Sequence, residues 1–518
     1  MKHKKEGKGF SLIILTLGSF VSMFIGLASN IIIASYFGTG AEMDAYVVAL
    51  VIPTTLTTVL ITSLGLFFVP AFISIEENTG ESAAWTFATT VITIAAPVLA
   101  TVSMLVYIYA NPIADLVAGG FDPAKREITA SLIKIMSPVL FFSALGTLFA
   151  AFLQSIGKFQ VIVIGSLAGS GMYLFLLYIL SPMLGIRGVA IAITANYAFT
   201  LLFQMLLGLR QRATLIRFDF SEALPHLVSL AKDSFSLSLA TIFRRFEEPI
   251  EKYYATQAGA GSASYMAYGG RIVTIIQNTY VQNIAKVFFP SISRHFAKGD
   301  NRTALDELFL GVRLNGFLII PILAGIELLS EPLIRLLFER GAFTSVDTKN
   351  VALVLFYGSL SLIQPMFASL TSKALIYLKA IKFMFFSSIL KLTLFITLIL
   401  VLMPRYGFIG IVLAGSLSIT WPLHLLYIRH RVGPLGASKL LSAFVRFILL
   451  SIFMWFACSE WISILEFDSQ AHQDLVMLIS TPIIGLIIYF SMARFLNFPE
   501  FQLMTKHILK LKTQSRSS

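Results

Sequence analysis

Long apolar runs recur along the chain, separated by short stretches that hold nearly all of its charge. An apolar run of roughly 20 residues crosses the hydrocarbon core as a helix, because lipid offers no partner to free backbone groups. The pattern predicts spans at 10–37, 45–72, 85–110, 130–153, 160–180 and 187–208, followed by a basic connector with Arg210, Arg212 and Arg217. A second set is predicted at 228–257, 264–290, 308–330, 350–375, 383–403 and 408–429. Two more spans, 438–459 and 475–496, close the series. The tail from Asn497 to Lys512 alternates apolar and basic residues, as a segment lying on the cytoplasmic interface does. The predicted fold class is an all-α polytopic membrane protein of about 14 transmembrane helices.

Composition agrees. Of 518 residues 57% are hydrophobic and 13% charged, where a soluble domain carries about a quarter charged; mean hydropathy is +0.82. The net charge of +12 does not point to nucleic acid, because the basic residues sit in short loops and at both termini, the positive-inside arrangement. With a cytoplasmic N-terminus, about 21 Lys and Arg fall inside and about 7 outside. The inside set includes Lys2, Lys4, Lys5, Arg294, Lys298, Arg302, Arg429, Arg431, Lys506 and Lys510. Both termini are expected in the cytoplasm of a bacterial cell with a multi-pass inner-membrane protein. The apolar stretch from Phe10 exceeds a signal-peptide core and reads as a retained first helix. The single Cys458 excludes an intrachain disulfide and a cysteine-based metal site.

The spans also repeat. Gly38 corresponds to Gly259, Ala45-Tyr46 to Ala267-Tyr268, Pro70 to Pro290, Asn111-Pro112 to Glu331-Pro332, Gly119 and Phe121 to Gly341 and Phe343, and Gly188 to Gly410. Every offset lies between 220 and 222 residues. Six helices separate equivalent points, so both halves enter the membrane in the same direction, a parallel internal repeat. The expected organisation is an N-lobe with its basic connector over 1–227, a C-lobe over 228–432, two extra helices over 433–496 and a cytoplasmic amphipathic tail over 497–518. Two six-helix lobes facing a cavity suit alternating access; a pore needs no duplication.

Charges inside predicted spans supply the candidate chemistry. The seventh span ends in Phe243-Arg-Arg-Phe-Glu-Glu-Pro-Ile-Glu-Lys252. Each charge at bilayer depth costs several kcal/mol unless paired or wet. Arg244, Glu248, Glu251 and Lys252 share one helical face, Arg245 and Glu248 are spaced to pair, Glu247 lies beside them, and Pro249 invites a kink. This cluster either lines a hydrated cavity, with Arg244 and Arg245 offered to an anionic substrate, or neutralises itself and only fixes packing. Arg271, alone in the eighth span after Tyr268-Gly-Gly, suits bidentate recognition of phosphate. Lys134, Lys286, Lys373 and Lys391 are weaker candidates, since long stems reach an interface. Asp44 opens the second helix, where an N-cap would sit.

No enzyme centre is legible. The chain has no Gly-rich loop ending in Gly-Lys-Ser/Thr and no His-Glu-x-x-His, and its seven His are scattered. No cofactor or metal is expected, and an ion gradient, the membrane potential or a downhill substrate must supply coupling. Spans eleven and twelve hold no acidic residue from which to read a sodium site.

The motif set resembles the MviN/MurJ family. The resemblance rests on Phe37-Gly-Thr-Gly-Ala-Glu-Met-Asp44-Ala-Tyr, Ile52-Pro53, Phe68-Val-Pro70-Ala-Phe, and Gly120-Phe121 followed by Ile135-Met136-Ser-Pro138. In the second half it rests on Tyr268-Gly-Gly-Arg271, Val287-Phe-Phe-Pro290-Ser-Ile-Ser293-Arg294 and, most sharply, Leu336-Leu-Phe-Glu-Arg-Gly341-Ala-Phe343-Thr. These cover nearly the whole chain in order. The family belongs to the multidrug/oligosaccharidyl-lipid/polysaccharide exporter superfamily, and its best-known members flip lipid II, the undecaprenyl-pyrophosphate-linked peptidoglycan precursor. The resemblance implies a cationic cavity for the pyrophosphate-sugar head, with Asp44 and Arg271 in it, and a groove for the lipid tail at spans thirteen and fourteen. It implies a lipid-linked oligosaccharide as the partner among inner-membrane lipids, and a two-lobe carrier that works as a monomer.

One departure stands out. The family's first helix usually carries Arg-x-x-Gly-x-x-Arg-Asp; around Gly26 this chain has Met23, Ser29 and Asn30. The family's Pro-Asn-x-x-Arg-Arg in helix two reads Pro53-Thr-Thr-Leu-Thr57-Thr58. Either Arg244 and Arg245 replace the lost cations, or the head group differs, as in a lipid-linked exopolysaccharide or other glycan unit. The leading expectation is a lipid II flippase. A cation-coupled drug antiporter would normally have twelve spans, and a non-transporting scaffold would be indifferent to Arg271.

Overall fold

The computed structural model describes residues 8–209, 243, 245–433, 437–465 and 469–505, and every regular element among them is helical. Twelve helical segments are long and apolar enough to cross a bilayer. They include the two closing spans, and each matches a run read from the sequence. The predicted seventh span falls largely outside the described residues. The eighth is helical from Ser262 to Ala297 but is not among the twelve.

The chain divides into two compact units, Met1–Ser264 with Arg340–Phe343, and Tyr265–Glu339 with Thr344–Ser518. The first unit contains α1 (Lys8–Phe37), α2 (Ala41–Thr79), α3 (Glu81–Ile108), the short α4 (Ala110–Val117), α5 (Pro123–Ser155), α6 (Phe159–Leu184), α7 (Ile186–Leu209) and α8 (Glu247–Gln257). Helix α5 is its centre, packed by α2, α3 and α7. Phe68 stacks on Phe87 at 5.6 Å, and Trp85 meets Phe152 edge-on at 5.0 Å. Within lipid such interlocking, rather than exclusion of water, holds helices together.

α9 (Ser262–Ile276) begins at the boundary between the units. A π-helical turn (Gln277–Val281), α10 (Gln282–Ala297), α11 (Asn301–Phe338), α12 (Ser345–Ser359), α13 (Ile363–Tyr377), α14 (Ile381–Tyr406), α15 (Phe408–Leu417), α16 (Trp421–Val432), α17 (Ala437–Ile464) and α18 (Gln470–Phe495) follow. The long α11 carries both closing helices. Phe317, Phe447, Tyr489 and Phe498 form their shared core. Pro321 has no N–H to donate to the carbonyl four residues back, and the Tyr489 hydroxyl donates to that Phe317 oxygen at 3.0 Å instead. A helical break at Ser418–Thr420 is closed in the same spirit. The Gln364 side-chain carbonyl accepts from the Thr420 and Trp421 N–H groups, and its amide donates to the Thr420 hydroxyl. Breaks at membrane depth survive only with such internal partners.

The internal repeat is visible in backbone detail. Gly185 and Gly407 adopt φ +59° and +57°, ending α6 and α14. Gly188 and Gly410 then pass so close to those helices that a Cβ would lie 2.4 Å from the Leu180 carbonyl oxygen and 2.5 Å from the Leu402 carbonyl. A side chain at either position would drive the helix pair apart.

Candidate translocation site

Asp44 is fully buried in the first turn of α2. Its carboxylate accepts from the Gly261 N–H at 2.8 Å, the Ser264 N–H at 2.9 Å, the Ser264 hydroxyl at 2.7 Å and the Lys125 ammonium at 2.6 Å. Two of these donors are backbone groups at the opening of α9, where N–H groups lack intrahelical partners and a negative charge is favoured. The Lys125 ammonium also lies 4.0 Å from the centre of the Phe121 ring. A buried carboxylate is costly alone; here every lobe of it has a donor.

This cluster joins residues of the two sequence repeats within the first unit, and two further ties lie in the same unit. The Ala342 N–H donates to the Ser35 carbonyl at 2.8 Å. Gly38 and Gly341, at φ +52° and +59°, permit that approach: a Cβ on Gly341 would lie 2.2 Å from the Ser35 carbonyl oxygen, and one on Gly38 2.4 Å from that of Ala342. The Gly120 N–H donates to the Thr256 hydroxyl at 3.1 Å. Gly38 and Gly341 are among the glycines that marked the repeat. Their value lies in close approach of one repeat's backbone to the other's.

The charged cluster of the seventh span is only partly described. Arg244 lies outside the described residues. Arg245 and Glu248 are exposed and Glu247 is half-buried. Lys252 is buried and pairs with the adjacent Glu251 at 2.8 Å, a sequence neighbour rather than a partner one turn away. Arg271 is exposed on α9, and none of the ion pairs found among the described residues involves it. Lys373 lies 5.1 Å from the Phe289 ring centre. Lys134, half-buried on α5, contributes its carbonyl to the Ser137 hydroxyl, one turn before Pro138.

The positions where arginines are missing point elsewhere for charge. The Ser29 hydroxyl donates to the Ile25 carbonyl and the Asn30 amide to the Gly26 carbonyl. Thr54 and Thr58 donate to backbone carbonyls of α2, and Thr57 meets the Ser143 hydroxyl at 2.8 Å. These side chains are neutral and turned onto helices. Cationic groups free to meet an anion lie in the second repeat, on α9 and α10. Sequence reasoning missed Lys125, which follows Asp122-Pro123 at a helix start and looks like an ordinary first-turn charge. It also missed Gly261 and Ser264, which carry no chemical signature. Among the described residues no three His, Cys, Asp or Glu side chains are grouped to hold a metal.

Comparison with known proteins matches this arrangement to one family. The family model described as lipid II flippase MurJ matches residues 33–493. Among curated relatives, a probable lipid II flippase MurJ of Vibrio cholerae is 25% identical over 80% of this chain and 81% of its own length. One from Rickettsia prowazekii is 24% identical over 95% and 99%. Among solved structures, a lipid II flippase MurJ in an inward closed conformation superposes with a TM-score of 0.76 at 22% identity, covering 93% of this chain and 99% of the other. An inward-facing multidrug transporter of the MATE family gives 0.70 at 14% identity, covering 83% and 99%.

Proposed function

This chain belongs to the MurJ family of lipid II flippases, and from that premise we propose that it carries lipid II from the cytoplasmic to the outer leaflet of the bacterial inner membrane by alternating access. The observation that carries this reading is the extent of the family match, which runs through both repeats and into the last helix. A drug antiporter of the same superfamily has no use for the closing pair α17 and α18, which here offers a surface for a lipid tail.

The cycle is one of binding and release, with no bond made or broken. With the N-terminus cytoplasmic, α1 runs outward and α2 begins at the outer face. That places Asp44, Lys125 and the Ser35–Ala342 contact at an outer closure between the repeats. The pyrophosphate head enters from the cytoplasm and is drawn to cations of the second repeat, Arg271 foremost, with Arg244 and Arg245 as further candidates. Outward opening requires Asp44 to release Gly261 and Ser264. Three hydrogen bonds to the carboxylate then exchange for contacts with water while Lys125 stays paired with it, so closure and opening remain close in energy. Glu247, Glu248 and Glu251 keep α8 polar, and the buried Lys252 offsets the charge of Glu251. A single chain suffices for this cycle, and both termini stay cytoplasmic.

Genetic rescue tests the reading. Expressed in a bacterium depleted of its own lipid II flippase, the protein restores growth and normal cell shape. Full-length protein in the membrane at ordinary levels, with lysis unrelieved, would contradict it.

A further inference from the structure

The π-helical turn Gln277–Val281 sits between α9 and α10, in the middle of the eighth predicted span. The Gln282 N–H reaches the Gln277 carbonyl, the five-residue return of a π turn. The Asn283 side-chain amide donates to the Thr279 carbonyl at 2.8 Å, giving the widened turn a partner. Such a turn holds one residue more than an α turn, so everything after it is rotated back by one residue, about 100°.

That rotation organises both faces of the helix. Beyond Gly270 the buried positions are Val273, Val281, Ala285, Ile292 and Phe296. Their successive gaps are helical except for the one step across the π turn, which is a residue longer than two α turns. With the turn in place, all five stay on one side, where the π turn and α10 pack on α11 and α13. The opposite side is uncovered. It carries Arg271, Thr274, Asn278, Asn283 and Lys286, all exposed. In an uninterrupted α-helix Asn283 would stand about 120° from Arg271; the inserted residue brings it back to about 20°. The Lys286 ammonium lies 3.4 Å from the Asn283 side-chain oxygen and forms no ion pair among the described residues. Two cations and two amides on one uncovered face, at bilayer depth, are too costly for contact with lipid and must meet water.

We infer that the π turn brings Asn283 into line with Arg271 and Lys286, so that this face forms a polar ladder carrying a diphosphate-linked saccharide between two cationic ends. The inference rests on the flippase reading and adds to it a second anion subsite at Lys286, with Asn278 and Asn283 as the rungs that meet sugar hydroxyls. Fifteen residues of helix separate the two cations, a rise of roughly 22 Å, or most of the hydrocarbon thickness of about 30 Å. A head group held first at Lys286 and then at Arg271 thereby crosses most of the bilayer without losing a cationic partner. Arginine binds diphosphate in a fixed fork, whereas lysine is a mobile point charge. Lys286 therefore suits capture and release, and Arg271 suits the bound state.

The test uses full-length protein with Cys458→Ser and single cysteines on this helix, reconstituted in vesicles and treated with a water-soluble thiosulfonate. Asn278→Cys, Asn283→Cys and Lys286→Cys are expected to react at least ten times faster than Val281→Cys and Ala285→Cys. Added lipid II is expected to slow the Asn283 and Lys286 cysteines at least fivefold. Lys286→Arg retains most flipping and Lys286→Gln does not. Equal labelling on both faces, or labelling that lipid II leaves unchanged, would overturn the ladder even though the Cys458→Ser parent flips lipid II. A parent that flips no lipid II would instead overturn the reading on which the ladder rests.

Discussion

The Asp44 carboxylate lies 2.6 Å from the Lys125 ammonium, and both side chains are buried. The two are not equal partners. Asp44 accepts from three further donors, whereas Lys125 has this one ion pair and the face of Phe121. Removing Asp44 strands an ammonium and three protein donors. Removing Lys125 leaves a carboxylate that still holds its backbone partners.

Asp44→Ala is therefore expected to destabilise the detergent-solubilised protein by about 3–5 kcal/mol, the cost of breaking a buried ion pair from the side that leaves a charge behind. Lys125→Met is expected to cost about 1–3 kcal/mol, the range for leaving a buried polar group one partner short. The double variant should cost clearly less than the sum, because the two losses share one contact. Thermal unfolding of the four proteins checks the cycle; strict additivity would deny the coupling.

Gly341 occupies left-handed backbone with its Cα against the Ser35 carbonyl. Gly341→Ala combines a disfavoured φ with a clash of backbone against backbone, and strain of each kind costs about 1–3 kcal/mol. The Ser35–Ala342 contact is expected to loosen, so that a cysteine placed at Ala342 reacts with a water-soluble thiol reagent at least several times faster than in the parent. An unchanged rate would show that the Ser35–Ala342 contact does not depend on this glycine.

The Arg335 Nη1 donates to both Asp474 oxygens, at 2.9 and 3.1 Å, while its Nη2 donates to Glu331 on its own helix, so the guanidinium fork spans two carboxylates. Near the other end of α11, Arg313 pairs with the buried Glu500. The two clamps hold α18 and the segment after it to α11 at both ends. Arg335→Lys keeps the charge but loses the fork, and a loss of about 1–2 kcal/mol in thermal stability is expected, the size of a single charge-assisted bond. Asp474→Ala should cost more than Arg335→Lys, and the exchanged pair Arg335→Asp with Asp474→Arg should recover part of that loss. A swap no better than Asp474→Ala would mean that charge pairing is not what joins these helices.

Asp300 caps α11, accepting from the Thr303 N–H, with His295 nearby. Hydrogen bonds from Thr303, then the charge of His295, hold its carboxyl below the usual carboxylate range. A depressed folded value means that the cap's contribution is present above the unfolded carboxylate pKa, about 3.9, and is lost as pH falls through the folded value. Asp300→Asn keeps a capping oxygen but cannot titrate. Its stability is expected to equal that of the parent in acid and to fall below it at neutral pH, which unfolding measured across pH 2.5–7 would reveal.

How much of this was legible in the sequence depended on the kind of interaction. Apolar runs marked the membrane spans because length and hydropathy are local, and the paired Gly188 and Gly410 helped betray the repeat because only glycine fits that close approach. Asp44 was visible as a helix opener, but its donors at Gly261 and Ser264 lie more than two hundred residues away. Lys125, Arg313 and Arg335 drew no notice in the sequence, because their partners are set by packing between helices remote in sequence. The Glu251–Lys252 contact went unforeseen for the opposite reason, since helical spacing favours partners a full turn apart. Within the eighth span the isolated Arg271 stood out, while the alignment with Asn283 became readable only once the buried positions fixed the register across the π turn.

Flipping of labelled lipid II in vesicles containing only this protein tests the central claim most directly. The account predicts that labelled lipid II crosses from one leaflet to the other much faster than in protein-free vesicles, and that Arg271→Ala lowers that rate at least tenfold while the protein stays folded. Crossing at the protein-free rate, from well-folded protein in either orientation, would contradict it.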